Sequence, residues 1–549
     1  MERTNTRLKT GLPGTLLTLL LTAMPFVSWA QVDKPFVSEV WSPDNGDGTY
    51  KNPIIHADYS DPDICRAGDD FYMTSSSFNS VPALPILHST DLVNWELVNY
   101  AVKDFPGSYY DVPQHGNGVW APCLRYHDGM FYIYWGDPDQ GIYMVQTEDP
   151  RGEWSSPILV KKAYGNIDPS PLWDDDGKVY MVHAFAHSRA GVKSLLQVVE
   201  LSQDGSQILD KGKIVFDGHQ DHPTIEGPKF YKRNGYYYIF APAGGVPVGW
   251  QLILRSKNIY GPYEEKIVLA QGSTPINGPH QGGWVSLDSG EDWFVHFQDK
   301  GAYGRIVHLQ PVEWIADWPV MGYDPDGDGT GEPFLVHRKP TLPKSRVMNP
   351  VDTDEFNNDQ LGLQWQWNAS PQPGWYSLTA RPGSLKLQSQ LLPEGAGNLW
   401  MMPSLLLQKF PAESFTNVVK MDVNNLREKE ESGLVVFGLD YASIVVKEKS
   451  GGWSIEQRVC KDADKNLSEK TLKSASIDQS TVWLKVEVKP GGICSFAYST
   501  DGQSFNTIGE PFVAREGKWV GAKTGLYSRK SSATGIGGYS LIDWFHVQK

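Results

Sequence analysis

A turn followed by an aromatic-rich strand recurs five times between residues 68 and 296 of this 549-residue chain. Two clear copies are Asp128-Gly129 before Met130–Tyr134 and Asn234-Gly235 before Tyr236–Phe240. Asp-Gly and Asn-Gly between apolar runs are typical of tight β-hairpins, because a type I′ turn needs positive φ at both central residues. The five turns lie at residues 68–70, 127–129, 175–177, 233–235 and 289–291.

A short strand with a polar or aromatic residue near its start precedes each hairpin. These residues are Asp61, Trp120, Asp168, Glu226 and His280, separated by 59, 48, 58 and 54 positions. A period of this length accommodates one four-stranded blade, and five blades that close radially form a β-propeller around a central axis. A β-sandwich also contains hairpins, but it does not produce this period. We therefore predict an all-β chain that begins with a five-bladed propeller.

The periodicity ends after the fifth copy. We assign residues 31–337 to the propeller and residues 338–353, which are rich in Pro, Lys and Arg, to a linker. Short alternating strands such as Leu385–Gln388 and Trp483–Val488 follow without a repeat. Residues 354–549 are therefore predicted to form a β-sandwich of jelly-roll type.

The N-terminus has the pattern of a secretory signal peptide. Basic residues precede an apolar stretch over residues 12–27, and Ser28-Trp29-Ala30 supplies small residues at a cleavage site. The alternative is a membrane anchor, but the stretch is short for a spanning helix and contains Pro13 and Pro25. We predict that residues 1–30 are removed, that the protein is exported to the periplasm or the extracellular space, and that the mature chain does not insert into a membrane.

The net charge limits the possible partners, and the cysteine content limits the possible disulfides. The formal net charge of −15 argues against a nucleic-acid partner, because such binding depends on Lys and Arg at the phosphates. The four cysteines are too few for a disulfide scaffold and leave two interpretations open, buried small hydrophobes or one to two structural disulfides.

Two Asp- and Gly-rich stretches could bind calcium or form surface turns. Residues 324–329 place Asp at the first, third and fifth positions of an EF-hand-like loop, but Leu335 stands where a bidentate Glu is needed. The same type of stretch occurs at residues 44–48. We predict surface turns, no required cofactor, and at most a structural calcium ion.

Three carboxylates begin the inner strands of three different blades. Asp61, Asp168 and Glu226 occupy matched positions, which converge on the axis of a closed propeller. Hydrolysis of a glycosidic bond needs a protonated carboxylic acid for the leaving oxygen and an ionised carboxylate opposite it. A third carboxylate can tune the other two, because a nearby anion disfavours ionisation. A single Asp-Pro would indicate a turn, but three matched acids indicate a catalytic centre.

The sequences around these acids resemble glycoside hydrolase family 43, the five-bladed inverting pentosidases. The resemblance rests on four strings and on a fifth that is similar to the start of the concanavalin-like C-terminal domain of the family's β-xylosidases. They are Tyr59-Ser60-Asp61-Pro62-Asp63-Ile64-Cys65-Arg66, Trp120-Ala121-Pro122, Ile167-Asp168-Pro169-Ser170, Glu226-Gly227-Pro228-Lys229, and Asp354-Glu355-Phe356 through Trp367.

The resemblance implies a role for each acid. Asp61 corresponds to the general base, Glu226 to the general acid, and Asp168 to the residue that orients the acid and raises its pKa. Asp63 departs from the family pattern, which often has Ser at this position. We interpret Asp63 as a structural residue at the strand end.

Four further residues correspond to substrate-binding positions of the family. Trp120 and Phe78 match aromatic walls of the terminal sugar subsite, and Arg305 matches a donor to sugar hydroxyls. His280 matches an axial histidine that contacts a central water or a calcium ion. Taken alone, Trp120, Phe78 and His280 could also be core residues, and Arg305 a solvated surface residue.

The predicted function is therefore an exo-acting, inverting glycoside hydrolase that releases terminal pentose from plant hemicellulose oligosaccharides. The C-terminal domain favours β-xylosidase over α-L-arabinofuranosidase, which uses the same catalytic residues. A non-catalytic carbohydrate-binding propeller is the alternative of another class. We also expect an apolar face of the second domain to pack on the propeller beside the mouth of the site. The oligomeric state stays open.

Overall fold

The computed structural model describes residues 35–343, 346–449, 452–531 and 535–549. The predicted signal peptide, residues 1–30, lies outside the described residues. The described chain is almost entirely β, with one short helix, α1 (His187–Ala190), and four single-turn 3-10 helices. These turns are Tyr109–Asp111, Gly301–Tyr303, Leu399–Met401 and Ala463–Lys465. Along the residues that the structure describes, none of the helices is long and apolar enough to cross a membrane.

Five four-stranded antiparallel sheets follow one another over residues 63–321. A short strand, β1 (Thr49–Lys51), precedes them. The first three sheets comprise β2 (Asp63–Ala67), β3 (Asp70–Thr74), β4 (Ala83–Ser89), β5 (Glu96–Val102), β6 (Trp120–His127), β7 (Met130–Asp137), β8 (Gly141–Thr147), β9 (Ile158–Lys162), β10 (Asn166–Trp173), β11 (Val179–Phe185), β12 (Leu195–Leu201) and β13 (Lys213–Asp217). The last two comprise β14 (Lys229–Arg233), β15 (Tyr236–Ala243), β16 (Trp250–Ser256), β17 (Glu264–Leu269), β18 (His280–Ser286), β19 (Asp292–Asp299), β20 (Arg305–Ile315) and β21 (Trp318–Met321).

The predicted hairpins form the inner half of every blade. Each Gly-containing turn connects the first strand of a sheet to the second, as between β6 and β7, where His127 pairs with Met130. Apolar side chains alternate onto the faces that neighbouring blades share, so Ile64 of the first blade packs in one cluster with Val295 of the fifth. The prediction of a five-bladed propeller is confirmed.

The ring of blades closes where the fifth blade meets the first. The inner strand β18 contacts β2, and β2, β6, β10 and β14 contact one another in turn. Ile55, which precedes the first blade, exchanges two backbone hydrogen bonds of 3.3 and 3.0 Å with Val307 of β20 in the fifth blade. The strand β1 also pairs antiparallel with β22 (Val336–Arg338). Segments from before the first blade and after the last are thus tied together, and closure places the five inner strands around one axis.

Two further sheets form the predicted C-terminal β-sandwich. The strands are β23 (Gln366–Trp367), β24 (Tyr376–Ser377), β25 (Leu385–Gln388), β26 (Gln390–Leu391), β27 (Leu406–Lys409), β28 (Phe415–Asp422), β29 (Glu431–Phe437), β30 (Tyr441–Lys449), β31 (Gly452–Cys460), β32 (Lys470–Ile477), β33 (Thr481–Lys489), β34 (Ile493–Ser499), β35 (Asn506–Thr507), β36 (Phe512–Val513), β37 (Lys523–Lys530) and β38 (Tyr539–Gln548). One sheet has the order β23-β27-β37-β29-β30-β31-β32, with β26 beside β37. The other has the order β24-β25-β38-β28-β33-β34-β35, with β36 beside β34.

The inner faces of both sheets share one apolar core. In β33 the alternation is strict, because Val482, Leu484, Val486 and Val488 are buried while the residues between them are partly exposed. These side chains pack with the buried residues of β29 and β30 from the opposite sheet. Alternation with period two is the pattern of a strand with one buried face, as the sequence predicted.

Propeller and sandwich belong to one compact unit that spans residues 36–549. Val81 and Trp367 exchange two backbone hydrogen bonds of 3.1 and 2.6 Å across the junction. The His115 ring stacks on Trp400 with 3.7 Å between ring centroids. The contact is therefore built from backbone pairing and polar groups as well as from the apolar surface that we predicted.

The cysteines and the acidic loop also have defined places. All four cysteines are buried and free, so the interpretation as buried small side chains holds. The carboxylates of Asp324, Asp326 and Asp328 offer oxygens within 4.8 Å of one another. Asp324 accepts hydrogen bonds from the backbone of Gly327 and Gly329, which is the arrangement of a self-capped turn.

Candidate active site

A residue with positive φ marks the start of the inner strand in every blade. The five residues are Asp61 (52°), Ala121 (31°), Asp168 (56°), Gly227 (56°) and Gln281 (53°). In three of the blades a β-bulge lies at this position, which bends the strand away from regular pairing. Non-glycine residues in this region cost about 1 to 3 kcal/mol each and cluster at functional sites. Asp61 and Asp168 occupy the position itself, whereas Trp120, Glu226 and His280 precede it by one residue.

These bulges surround a cavity of about 360 Å³ at one end of the axis. Its volume falls in the lower part of the range of about 300 to 1,000 Å³ that is usual for small-molecule sites. All three predicted acids line it, as do Phe78, Trp120 and Arg305. The other lining residues are Ala121, Ile167, Phe185, Ala186, His187, Ser188, Lys193, Ser194, Thr224, Ile225, Gly245, Val246, Pro247, Gln281 and Trp519.

Asp61 lies in the environment of an ionised carboxylate. Its Oδ1 accepts a hydrogen bond from the Arg305 guanidinium at 2.8 Å. Its Oδ2 accepts from the hydroxyls of Ser60 at 2.8 Å and Ser76 at 2.6 Å. The carboxylate is 5% exposed, so three donors and an opposite charge replace the water that a buried anion needs.

The surroundings of Asp168 and Glu226, in contrast, favour the protonated form of each carboxyl group. Burial raises the pKa of Glu226 above its ordinary value, and the neighbouring charges of Asp168 and Asp61 raise it further. Burial likewise raises the pKa of Asp168, although the 2.8 Å hydrogen bond from the Gly227 N–H opposes this. Because that donor stabilises the ionised form of Asp168, ionisation is favoured on Asp168 over Glu226.

Aromatic rings form the walls of the cavity. The Trp120 ring lies edge-on to Phe78 and to Trp519, with 6.4 Å between centroids in both pairs. The Trp120 indole donates to the Gly116 carbonyl at 2.8 Å, which fixes the orientation of the ring. Trp519 belongs to the sandwich and is 49% exposed. The second domain thus supplies one wall of a cavity whose other lining residues come from the propeller.

His280 is buried and is not among the residues that line the cavity. Its Nδ1 is 2.6 Å from the Gly278 carbonyl, and its ring packs against Phe297 with centroids 5.0 Å apart. Burial lowers the pKa of His280 to about 4, so the ring is neutral at ordinary pH. The neighbouring Gln281 lines the cavity in its place. Among the described residues, the one group with metal-ligating geometry is the aspartate loop at 324–328, which does not include His280.

Asp63 points away from the cavity into a buried polar network. Its Oδ2 accepts from the Arg125 guanidinium at 2.8 Å and from the Leu124 N–H at 2.9 Å. Arg125 in turn donates to Ser170 at 3.0 Å, and Ser170 accepts from the Phe230 N–H at 2.9 Å. The network joins residues of four blades. The structure thus places Asp63 in a structural position, as we interpreted it.

Sequence reasoning missed the cavity residues that come from outside the repeat. Trp519 lies in the sandwich, where no pattern relates it to a blade. Lys193 and its neighbours lie in the loop that contains α1 and leads from β11 to β12. These residues meet the acids through the closure of the ring and the docking of the sandwich.

A closed propeller with three convergent carboxylates, one of them surrounded by hydrogen-bond donors and another with a raised pKa, has the inventory of an enzyme that cleaves glycosidic bonds. The profile described as "Glycosyl hydrolases family 43" matches residues 50–319. A second profile, "Beta xylosidase C-terminal Concanavalin A-like domain", matches residues 353–548. The chain therefore belongs to glycosyl hydrolase family 43 and carries the concanavalin-like domain of that family's β-xylosidases.

Known relatives cover nearly the whole chain. A putative β-xylosidase of Xylanibacter ruminicola is 38% identical over 494 residues, covering 88% of this chain and 86% of its own. A non-reducing end α-L-arabinofuranosidase of Bacteroides ovatus is 33% identical over 453 residues, covering 78% and 80%. The solved structure of a xylan β-1,4-xylosidase from Bacillus halodurans has a TM-score of 0.78 at 25% identity and covers 91% of this chain and 100% of its own. The protein is a glycoside hydrolase, and the non-catalytic alternative is not supported.

Proposed function

We propose that this glycoside hydrolase is an exo-acting, inverting β-xylosidase that removes terminal xylose from plant hemicellulose oligosaccharides. The observation that carries the proposal is the contrast between two acids in one cavity. Asp61 is surrounded by donors that suit an anion, whereas burial and like charges raise the pKa of Glu226. A pair of carboxyl groups with opposite preferred protonation is what acid and base catalysis on a glycoside requires.

In the proposed mechanism Glu226 gives its proton to the leaving oxygen while the glycosidic bond breaks. Asp61 takes a proton from water as that water attacks the anomeric carbon from the opposite face. Asp168 keeps Glu226 protonated, because its negative charge disfavours a second anion nearby. Arg305 holds the Asp61 carboxylate at 2.8 Å and offers its remaining N–H groups to hydroxyls of the bound sugar.

The shape of the cavity supports the proposed exo action. A volume of about 360 Å³ suits one or two sugar units. Trp519 of the sandwich packs edge-on against Trp120 of the propeller, and both rings line the cavity. Rings of this kind pack against the apolar C–H face of a pyranose, and a wall at this place blocks a chain from passing through. Only the end of an oligosaccharide reaches the acids.

The preference for xylosides over arabinofuranosides rests on the relatives. Proteins named as β-xylosidases match this chain over 88% and 91% of its length. The arabinofuranosidase relative matches 78% of it. α-L-Arabinofuranosidase activity is the second candidate, since the same acids serve both reactions.

Purified wild-type protein should be assayed on nitrophenyl β-D-xylopyranoside, α-L-arabinofuranoside and β-D-galactopyranoside. We expect the xyloside to be turned over fastest and the galactoside slowest, with Asp61→Asn as the inactive control. Reduced xylotetraose should then yield xylose as the first product. Faster arabinofuranoside turnover would reverse the substrate assignment, and early release of internal fragments would contradict exo action.

Export is a further part of the proposed function, because a xylan-degrading enzyme meets its polymeric substrate outside the cytoplasm. The support is the basic and apolar pattern of residues 1–30. Expression of the full chain in a bacterial host with the general secretion pathway, followed by mass spectrometry of the periplasmic fraction, should give a mature N-terminus at Gln31. An uncleaved cytoplasmic protein would contradict export.

A further inference from the structure

One buried carboxylate at the domain junction contacts both the propeller side and the sandwich side of the active site. Asp58 is 5% exposed and lies three residues before Asp61. Its Oδ1 accepts the backbone N–H of Arg305 at 2.9 Å. Its Oδ2 accepts the backbone N–H of Gly521 at 2.9 Å. The two oxygens of one side chain thus hold two domains by their backbones.

Each of the two backbone positions leads directly to the cavity. The Arg305 guanidinium reaches Asp61 at 2.8 Å and Ser60 at 2.7 Å. Gly521 lies two residues after Trp519, the sandwich residue that lines the cavity. Trp519 has a φ of 64°, a conformation that a bulky residue keeps only when its surroundings impose it. The hydrogen bond at Gly521 is one of the contacts that impose it.

The backbones approach too closely at this point for side chains to lie between them. A Cβ on Gly521 would lie 2.7 Å from the Gly304 nitrogen, and a Cβ on Gly304 would lie 2.5 Å from the Asp58 carboxyl carbon. The neighbouring Ala522 N–H donates to the Ala302 carbonyl at 2.7 Å. The loop that carries Trp519 therefore docks backbone to backbone on the segment that leads into Arg305.

Two partly buried lysines lie near the same carboxylate. The ammonium of Lys409, from β27, donates to the Asp58 carbonyl at 2.6 Å. The ammonium of Lys523, from β37, donates to Ser80 of the propeller at 2.6 Å. Burial lowers the pKa of both lysines, and the charge of Asp58 opposes the shift in each. Loss of Asp58 would leave these two cations without their buried counter-charge.

We propose that Asp58 is a positioning residue that fixes the Arg305 segment and the Trp519 wall relative to each other, and so makes the sandwich a working part of the active site. The inference rests on the proposed function for its catalytic consequence. It goes beyond the proposed function because it assigns the coupling between the base, Asp61, and the aromatic wall, Trp519, to the Asp58 side chain. It also predicts that the sandwich influences turnover as well as the shape of the mouth.

The test is a double-mutant cycle between Asp58 and Trp519. Asp58→Asn keeps the side-chain size but can accept only one of the two N–H groups at full strength. We expect kcat/KM on nitrophenyl β-xyloside to fall about 10- to 100-fold, with a lower kcat and a higher KM. In a Trp519→Ala background the same change should cost less than about threefold, because the wall that Asp58 positions is already absent.

Asp91→Asn is the matched control. Asp91 is also 5% exposed and also accepts backbone N–H groups, from Val93 at 3.0 Å and Asn94 at 2.7 Å, but it lies in an outer loop of the first blade. We expect Asp91→Asn to lower kcat/KM only by destabilising the fold. Its fold-loss in kcat/KM should therefore multiply with the fold-loss caused by Trp519→Ala. Wild-type kinetics for Asp58→Asn, losses that multiply fully with Trp519→Ala, or equal coupling for Asp91→Asn would each overturn the proposal.

A second variant and a second measurement separate this proposal from the proposed function. If Asp58→Asn does not fold, Gly521→Ala attacks the same contact from the sandwich side and should give the same change in both kinetic constants. Hydrogen exchange of peptides over residues 515–524, read by mass spectrometry, should be faster in Asp58→Asn than in wild type or Asp91→Asn. Unchanged exchange would contradict the proposed positioning role of Asp58. If the wild-type protein has no pentosidase activity, the proposed function is contradicted. The exchange result still tests the positioning role of Asp58 in that case.

Discussion

Replacing Glu226 by Gln should separate substrates by their leaving groups. In the proposed mechanism Glu226 is protonated when it acts, and burial and the charges of Asp168 and Asp61, which raise its pKa, favour that form. Gln has nearly the same shape and the same zero charge, so binding of the substrate should change little. The variant lacks only the transferable proton, and the cost therefore depends on how much the leaving oxygen needs one.

The magnitude follows from what a general acid contributes. For xylobiose, whose leaving group is a sugar alkoxide, we expect kcat/KM to fall by about 10² to 10⁴, the usual contribution of a positioned acid. That is about 3 to 5 kcal/mol of transition-state stabilisation. For dinitrophenyl β-xyloside, whose phenolate leaves readily, the fall should be less than about tenfold. Initial rates with both substrates at the same pH provide the comparison.

The pH profile gives a second readout of the same group. A general acid must be protonated, so wild-type kcat/KM falls as pH rises through the pKa of Glu226. Because that pKa is raised, the alkaline limb should lie above the ordinary value of 4.5. In Glu226→Gln this limb should disappear on the dinitrophenyl substrate. Equal losses on both substrates, or an unchanged alkaline limb, would remove Glu226 from the acid role.

Three other changes test separate parts of the structure. Asp63→Asn breaks the buried pair with Arg125 and should lower the free energy of unfolding, measured by urea titration, by about 3 kcal/mol. The KM of the folded protein should not change. A large change in KM at unaltered stability would make Asp63 a binding residue. Trp519→Ala should raise KM for nitrophenyl β-xyloside about tenfold and leave the pH profile in place; an unchanged KM would show that the wall does not contact the sugar. Truncation after residue 340 removes that wall and exposes the docking surface, so the product should be poorly soluble or inactive; a soluble, fully active propeller would contradict this.

The repeat made the propeller predictable from sequence. Hairpin turns such as Asn234-Gly235 report backbone geometry locally, and their spacing counts the blades without any knowledge of long-range contacts. The convergence of Asp61, Asp168 and Glu226 then follows from closure alone. The period could not predict which residue at the start of each inner strand lines the cavity. Positive φ falls on Asp61 and Asp168 but one residue after Trp120, Glu226 and His280, and for this reason Gln281, not His280, lines the cavity.

The contribution of the sandwich could not be predicted in the same way. Trp519 and Gly521 reach the propeller through a loop whose position depends on the docking of two complete domains. Asp58 belongs to a His-Ala-Asp-Tyr segment before the first blade and shows no periodicity. Its importance becomes visible only when the two N–H groups that it accepts are identified. Local patterns thus locate the acids, and tertiary packing decides what surrounds them.

The central claim is that Asp61 activates water, with Glu226 as the acid, and that the reaction inverts the anomeric carbon. Proton NMR of nitrophenyl β-xyloside hydrolysis tests it directly, because the anomeric signals of α- and β-xylose are resolved before mutarotation mixes them. The account predicts that α-xylose appears first and that β-xylose follows only at the rate of mutarotation. Initial formation of β-xylose would show that configuration is retained and that Asp61 acts as a nucleophile, not as a base.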